Sequence, residues 1–325
     1  MTAPEIPAFP EFRPLALEDR EFVDDAFSRV GRECSEFTFA AYYLFRCPAR
    51  PSLSMLDGTL LFREKCRGGG WCLLPPMLTD DVAGVAEEAL RGLARTDQAP
   101  HHLASVTDRI WEEHFAATGK FERRPDRDNW DYVYEREKLA RVSGRAFHSQ
   151  KNQINRFTRN HEWEYRRLTP DLVEGARDLA DRWCEERCAV SGPMSFDETR
   201  ALKEGLCMAD RLGLVGGVII VGGRVEALAI GEKLTDDTAA IHFEKAHPGV
   251  NGLAQLINRE FALRELTCCR WFNREQDLGD PGLRQAKERY NPSHMVEKSV
   301  VALKGDPSLD QHFDYVYTHR KESGI

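Results

Sequence analysis

Two hydrophobic periods alternate along the second half of the chain. Apolar residues recur every three to four positions where a helix is predicted, as at Leu253, Leu256 and Phe261, and form unbroken runs where strands are predicted. A helix start is predicted at Pro170, and the Gly222-Gly223 pair predicts a hairpin between two strands. The predicted order is helices 169–187 and 195–212, strands 214–221, 224–234 and 239–246, a helix from 253, a strand at 270–274, a helix from 281 that ends before Pro292, and a strand at 295–303.

The first half repeats this order less clearly. Its predicted elements are helices 18–30 and 37–45, strands 53–56, 59–64 and 71–74, a helix at 80–95, a strand at 103–106, a helix at 109–118 and a strand at 131–134. A length of 325 residues suits two domains of about 150 residues each. Two copies of one order predict tandem α/β (α+β) domains, at 1–140 and 141–325, with the candidate site in the second.

Composition is that of an ordinary globular protein, with 42% hydrophobic and 30% charged residues. The longest apolar run, 214–221, is far shorter than the ~20 residues of a membrane span, so none is expected. The N-terminal residues are rich in prolines and acids, which predicts a cytoplasmic protein without an export signal. Nine cysteines include no CxxC pair, so reduced thiols and no metal site are expected.

One segment has a charge opposite to that of the whole chain. Residues 141–167 contain seven Lys and Arg against two Glu, a local charge of +5 in a protein of net charge −8. Read as a helix, the segment separates Phe147, Ile154 and Phe157 from a polar face without carboxylates. A solvated basic face is one interpretation; an anion site is the other. The residues predicted to form the anion site are His148, Lys151, Asn152, Asn155 and Arg156, with Arg159 on the same polar face.

Several motifs resemble those of one family when they are taken together. The chain is similar to the DUF2156 family, which is grouped with the C-terminal domain of phosphatidylglycerol lysyltransferases. The motifs are Asp131-Tyr132-Val133-Tyr134, the helix from Gly144 to Phe157, Phe243-Glu244-Lys245-Ala246, Ile257-Asn258 with Glu260-Phe261, and Asn273-Arg274-Glu275 with Asp277-Leu278-Gly279, Gly282-Leu283-Arg284, Ala286-Lys287, Tyr290 and Pro292.

The resemblance implies a fold more strongly than a substrate. It implies tandem GNAT-like (acyl-CoA N-acyltransferase) domains with mixed sheets flanked by helices, distantly similar to Fem-type transferases that use aminoacyl-tRNA. Acyltransferases of this architecture present free N–H groups at a helix start to the donor, and Asn251-Gly252 occupies that place here. The segment lacks the several glycines of the usual coenzyme A loop, which counts against coenzyme A as donor and is compatible with an aminoacyl ester.

Acyl transfer needs a base for the nucleophile, donors for the oxyanion and an acid for the leaving group. Polar residues gather at the ends of two predicted strands, where GNAT-like folds place the reaction cleft. Glu232 by itself is expected to form a structural ion pair. The predicted catalytic residues are Glu244, Glu275 and Tyr290, and the predicted substrate or donor ligands are Lys245, Asn251, Gly252, Asn273, Arg274 and Asp277, together with the anion-site residues.

Three functions remain open from the sequence. The first is a cytoplasmic aminoacyltransferase that uses aminoacyl-tRNA, bound through residues 141–167, and a small-molecule or peptide acceptor with an amine or hydroxyl. The second is an N-acyltransferase with acyl-CoA as donor. The third is a ligand-binding protein with a decayed transferase pocket. The overall acidity favours a focused anion contact over general affinity for nucleic acid.

Overall fold

A computed structural model describes residues 5–30, 34–66, 70–96, 101–191 and 194–314. Within these ranges most predicted elements are present at nearly the predicted bounds. The strands are β1 (Arg13–Pro14), β2 (Ser52–Leu56), β3 (Thr59–Lys65), β4 (Trp71–Leu73), β5 (His101–Thr107), β6 (Phe121–Pro125), β7 (Asp131–Glu135), β8 (Trp163–Arg167), β9 (Val215–Val221), β10 (Arg224–Lys233), β11 (Thr238–Ala246), β12 (Trp271–Asn273), β13 (His294–Val296) and β14 (Lys298–Leu303).

Helices flank the strands on the faces of two sheets. The predicted helix at 195–212 is divided into two helices at Met208, and only the first turn of the predicted helix at 109–118 is α-helical. The helices are α1 (Arg20–Val30), α2 (Phe39–Leu44), α3 (Arg46–Ala49), α4 (Val82–Thr96), α5 (Asp108–Ile110), α6 (Arg136–Arg141), α7 (His148–Asn160), α8 (Val173–Ser191), α9 (Met194–Cys207), α10 (Ala209–Leu212), α11 (Leu253–Arg264) and α12 (Pro281–Glu288).

The strands form two mixed sheets, which confirms the predicted α/β class. The first has the order β1-β2-β3-β4-β5-β14-β6, and the second has the order β13-β7-β12-β11-β10-β9-β8. Sequence order had assigned the strand at 131–134 to the first sheet and the strand at 295–303 to the second. Both assignments are wrong. Strand β7 pairs with β12, and the predicted last strand is interrupted at Glu297, after which β14 pairs with β5 and β6.

The exchange of strands makes each compact unit discontinuous in sequence. The first unit comprises 1–131, 276–284 and 296–325, and the second comprises 132–275 and 285–295. The sequence of a strand does not specify which sheet the strand will pair with. The order of the repeated elements therefore cannot predict the exchange. A division into independently folding domains at 140/141 stays a prediction.

The core of the second unit lies between its sheet and the helices α6, α7 and α11. Ile154 and Phe157 of α7 are buried together with Leu256 and Phe261 of α11. This is the apolar face that the sequence pattern predicts. The packing is close, because a Cβ added at Gly252 would lie 2.4 Å from the carbonyl oxygen of Gln153 on α7.

Cys66 and Cys72 correct the expectation that every cysteine is a reduced thiol. Their sulfur atoms are bonded as a disulfide. The two residues are six positions apart in sequence, but β3 and β4 pair as an antiparallel hairpin and bring them together. A sequence without a CxxC pair does not reveal this proximity, because it depends on how the hairpin is closed.

Lys298 stabilises the first unit from a fully buried position. Its ammonium group donates to Asp131 and Glu36, and Asp131 also accepts from the backbone N–H of Ser35. Burial alone would lower the pKa of Lys298, but the two carboxylates outweigh it and raise this pKa above its ordinary value. Both exchanged strands begin at this charge cluster, β7 at Asp131 and β14 at Lys298.

We expect Lys298→Met to destabilise the protein strongly, because Asp131 and Glu36 would be left without their shared buried cation. Breaking a buried pair in this way costs about 3–5 kcal/mol. Thermal unfolding should show a Tm lower by roughly 6–20 °C for a unit of this size. Lys304→Met, which removes an exposed lysine, is the control. Equal Tm values for the two variants would contradict a stabilising role for this cluster.

Candidate active site

The second sheet opens at its centre. Strands β11 and β12 are parallel and pair only from Thr238 to Ala240 and from Trp271 to Asn273. Strand β11 continues to Ala246, whereas β12 ends at Asn273. The chain that follows β12 therefore supplies side chains, not strand hydrogen bonds, beside the second half of β11. We call this opening, with the residues of β11 beyond Ala240 and residues 274–275, the strand gap.

Arg274 and Glu244 pair across the strand gap. The Arg274 Nε atom lies 2.6 Å from Glu244 Oε2, and Asn258 Nδ2 donates to Glu244 Oε1 at 2.8 Å. Burial disfavours the guanidinium charge, but Glu244 outweighs this effect and raises the pKa of Arg274. Among the described residues, Arg274 Nη1 and Asn258 Oδ1 are buried without a hydrogen-bond partner. Arg274 thus keeps one donor and Asn258 one acceptor that no described residue satisfies.

His242 occupies a bulge in β11. Ile230 pairs with Phe243 and Gly231 pairs with Ile241, so His242 is the extra residue on its strand. Gly231 lies opposite, where an added Cβ would be 2.4 Å from the carbonyl oxygen of Ala240. A bulge redirects a side chain that regular alternation would have placed elsewhere.

Two carboxylates hold the His242 ring. Glu275 Oε1 lies 2.7 Å from Nδ1, and Glu232 Oε1 lies 2.8 Å from Nε2. Burial alone would lower the pKa of His242, but these hydrogen bonds raise it to about 10. The ring is therefore protonated at neutral pH and donates at both nitrogens. Glu232 forms the ion pair expected of it.

A short loop orients Glu275. Its φ of 59° lies in the left-handed region, and its backbone N–H donates to Asn273 Oδ1 at 2.8 Å. The ammonium group of Lys287 on α12 donates to the carbonyl oxygens of Arg274 and Glu275. Asn273 and Lys287 are both buried. These two side chains are positioning residues, because they fix the backbone that carries Arg274 and Glu275.

Tyr290 connects the strand gap with α7. Its ring centroid lies 4.9 Å from the Arg274 guanidinium and 6.3 Å from the ring centroid of Phe147, just before α7. Gln150 on α7 donates to the carbonyl oxygen of Arg289. Burial raises the pKa of Tyr290 to about 12, so its hydroxyl keeps its proton at neutral pH.

The polar face of α7 is exposed, as the sequence pattern predicts. His148, Lys151, Asn152 and Arg156 are exposed and Asn155 is half-buried. An open pocket of about 400 Å³ lies on this face and is lined by Asn152, Asn155, Arg156, Arg159 and Asn160. Among the predicted donor ligands nearby, Asn251 is exposed, whereas Gly252 is buried against α7.

The structure brings five of the predicted residues to the strand gap. They are Glu244, Asn273, Arg274, Glu275 and Tyr290. Lys245 points to the other side of β11, where it lies 2.7 Å from Glu198 and 3.5 Å from the centroid of the Trp183 ring. Asp277 belongs to the first unit, where it pairs with Arg127 and Arg284.

Sequence reasoning missed the part that His242, Asn258 and Lys287 take in the site. A signal was present for two of them, because Asn258 and Lys287 are polar residues within the predicted amphipathic helices. The structure shows that both side chains are buried. His242 gave no such signal, since the bulge that exposes it to Glu275 depends on the pairing of β10 with β11.

Comparison with known proteins places the chain in a family. Residues 27–302 match the family described as phosphatidylglycerol lysyltransferase, C-terminal. The chain belongs to this family. The match spans both units and confirms the DUF2156 resemblance. No curated protein sequence matches the chain.

Several solved structures resemble this chain over nearly its whole length. A conserved protein of unknown function from Bacteroides thetaiotaomicron is 28% identical, with a TM-score of 0.81, over 90% of this chain and 99% of its own. L-PGS from Bacillus licheniformis is 14% identical, with a TM-score of 0.61, over 96% of this chain and 98% of its own. FemX is 8% identical, with a TM-score of 0.56, over 92% of this chain and 99% of its own. These likenesses confirm the GNAT-like fold.

The raised pKa of His242 predicts that its contribution to the stability of the fold depends on pH. The folded pKa of about 10 lies above the ordinary value of 6.5, so His242 stabilises the fold fully below about pH 6.5 and loses this effect as the pH rises through 10. The difference in Tm between the wild type and His242→Gln should therefore shrink between pH 7 and pH 10.5. A constant difference across this range would show that His242 is not held as a cation.

Proposed function

We propose that this family member is an aminoacyltransferase that takes an aminoacyl group from aminoacyl-tRNA and passes it to an amine or hydroxyl of a small molecule or peptide. The observation that carries the proposal is the joint presence of partly exposed carboxylates in the strand gap and a basic helix in one unit. Aminoacyl-tRNA has a cationic amino group at its reactive end and a polyanionic backbone behind it. The reaction would take place in the cytoplasm, where aminoacyl-tRNA is made.

The charges in the strand gap suit an ammonium group. Glu232, Glu244 and Glu275 contribute three carboxylates, and His242, Arg274 and the Lys287 ammonium behind the loop contribute three cations. The formal charges balance, so a ligand ammonium would be held by the partly exposed carboxylates of Glu244 and Glu275, more strongly than in water. A neutral acyl chain, such as that of an acetyl or fatty acyl donor, would gain nothing from these carboxylates.

Helix α7 supplies the complementary surface for phosphates. Lys151 and Arg156 are exposed on a helix that begins next to Phe147, and Phe147 contacts the Tyr290 ring of the strand gap. Such side chains follow a nucleic acid backbone without reading its bases. A donor with its ester in the strand gap could therefore place backbone phosphates along α7.

The start of α11 favours a donor other than acyl-CoA. In GNAT-like folds this helix start faces the donor diphosphate through its N–H groups. Here Gly252 packs against the carbonyl oxygen of Gln153, which is a hydrogen-bond acceptor and repels phosphate. The arrangement supports the aminoacyl ester and makes acyl-CoA the alternative outcome of the experiment below.

The side chains of the strand gap can carry out acyl transfer with balanced protons. The acceptor attacks the ester carbonyl and gives its proton to Glu275 as the new amide or ester bond forms. Arg274 Nη1 donates to the oxyanion, and the bond to the ribose oxygen breaks as Tyr290 gives that oxygen a proton. Glu275 then returns its proton through solvent, which restores Tyr290. His242 keeps Glu275 oriented through the 2.7 Å contact.

We expect Tyr290→Phe to lower the rate of transfer by about 10²–10⁴ while leaving Tm nearly unchanged, because only the proton of the leaving group is lost. The measurement is single-turnover loss of labelled lysine or alanine from charged tRNA, with a dipeptide and a diol as acceptors. Acetyl-CoA is the comparison donor.

Tyr43→Phe in the first unit is the matched control and should react like the wild type. A Tyr290→Phe variant as fast as the wild type would contradict the role of Tyr290 as the acid. Transfer from acetyl-CoA but not from charged tRNA would replace the proposed donor.

A further inference from the structure

A buried group of two sulfur atoms and one imidazole lies in the first unit, where the candidate reaction does not use it. Cys66 follows β3, Cys72 is in β4 and His102 is in β5. The hairpin pairs Glu64 with Cys72, and the parallel pairing of β4 with β5 sets Cys72 beside His102. All three side chains are buried. Three adjacent strands therefore bring them to one place.

The distances from the imidazole to the two sulfur atoms are those of a tetrahedral metal site. His102 Nε2 lies 3.5 Å from Cys66 Sγ and 3.4 Å from Cys72 Sγ. Two ligands at zinc bond lengths of 2.3 Å for sulfur and about 2.05 Å for nitrogen are separated by about 3.5 Å at a tetrahedral angle. The nitrogen–sulfur spacing thus suits a Cys2His set, in which the two sulfur atoms must separate once their disulfide bond is broken.

The imidazole has little else to bind. Its Nε2 atom contacts the two sulfurs, and its Nδ1 atom has no hydrogen-bond partner among the described residues. His102 is 1% exposed, so bulk water does not reach the ring. A metal ion bound at Nε2 would fix the imidazole proton on Nδ1, as is usual for histidine ligands.

We propose that, once a thiol or phosphine reductant has converted the Cys66–Cys72 disulfide into two thiols, these and His102 bind one Zn²⁺ ion. Binding replaces the two thiol protons with two sulfur–zinc bonds and adds one bond from His102 Nε2; the protons pass to solvent. The disulfide and the zinc site exclude each other, because a disulfide has no thiolate to offer. The site would join β3, β4 and β5 within the first unit, whereas the residues proposed for transfer belong to the second unit.

The test measures metal directly and does not depend on any activity. The full chain is reduced with a phosphine, freed of reductant under nitrogen and titrated with Zn²⁺ against a coloured chelator, and separately with Co²⁺. We expect one ion per chain and a thiolate-to-cobalt charge-transfer band. Cys72→Ser and His102→Gln should weaken Zn²⁺ binding by at least about 100-fold, since loss of even an outer partner costs 10–100-fold.

Two controls make each outcome decisive. Cys47→Ser removes an exposed free thiol and should bind zinc like the wild type. The wild type with its disulfide intact should bind none. If the reduced wild type binds no zinc, or if Cys72→Ser binds it as tightly as Cys47→Ser, the proposal is overturned. If His102→Gln fails to fold, the cobalt spectrum of the wild type still reports whether thiolates hold the metal.

Discussion

The pairing of Glu244 with Arg274 is the interaction on which the candidate site depends. Strand β12 ends after three residues of pairing with β11, and an open sheet centre leaves backbone groups and charges without strand partners. The ion pair fills this opening, and Asn258 and Tyr290 complete its surroundings. A buried pair of this kind contributes little net stability compared with apolar packing. Its value lies in holding a donor group of Arg274 where a reacting carbonyl could be bound.

The second constraint is the bulge at His242. It places a protonated imidazole between Glu232 and Glu275, and Asn273 and Lys287 hold the loop that carries Glu275. These contacts come from β10, β11, α12 and the loop after β12. Because several elements fix one carboxylate, its position is set before any ligand arrives, and such preorganisation lowers the cost of stabilising a transition state.

The sequence predicts the elements well and their partners poorly. Periodicity and turn residues locate α7, α8, α11 and the three strands β9 to β11 within a few residues, because these signals are local. The exchange of β7 and β14 between sheets depends on contacts far apart in the chain. Arg274 and Glu275 were predictable from polar residues at a strand end, and Tyr290 from its place at the end of the following helix. The bulge at His242, the contact of Lys245 with Trp183 and the grouping of Cys66, Cys72 and His102 required the fold.

Among the described residues, no helix is long and apolar enough to cross a membrane.

We propose that one unit binds both ends of an aminoacyl-tRNA. The most direct measurement of this compares the equilibrium affinities of the protein for charged and uncharged tRNA. We predict tighter binding of charged tRNA, an advantage lost in Arg274→Lys with Glu244→Gln, and weaker binding of both forms by Lys151→Ala with Arg156→Ala, with a smaller salt dependence. Equal affinity for the two tRNAs, unaffected by Lys151→Ala with Arg156→Ala, would contradict the account.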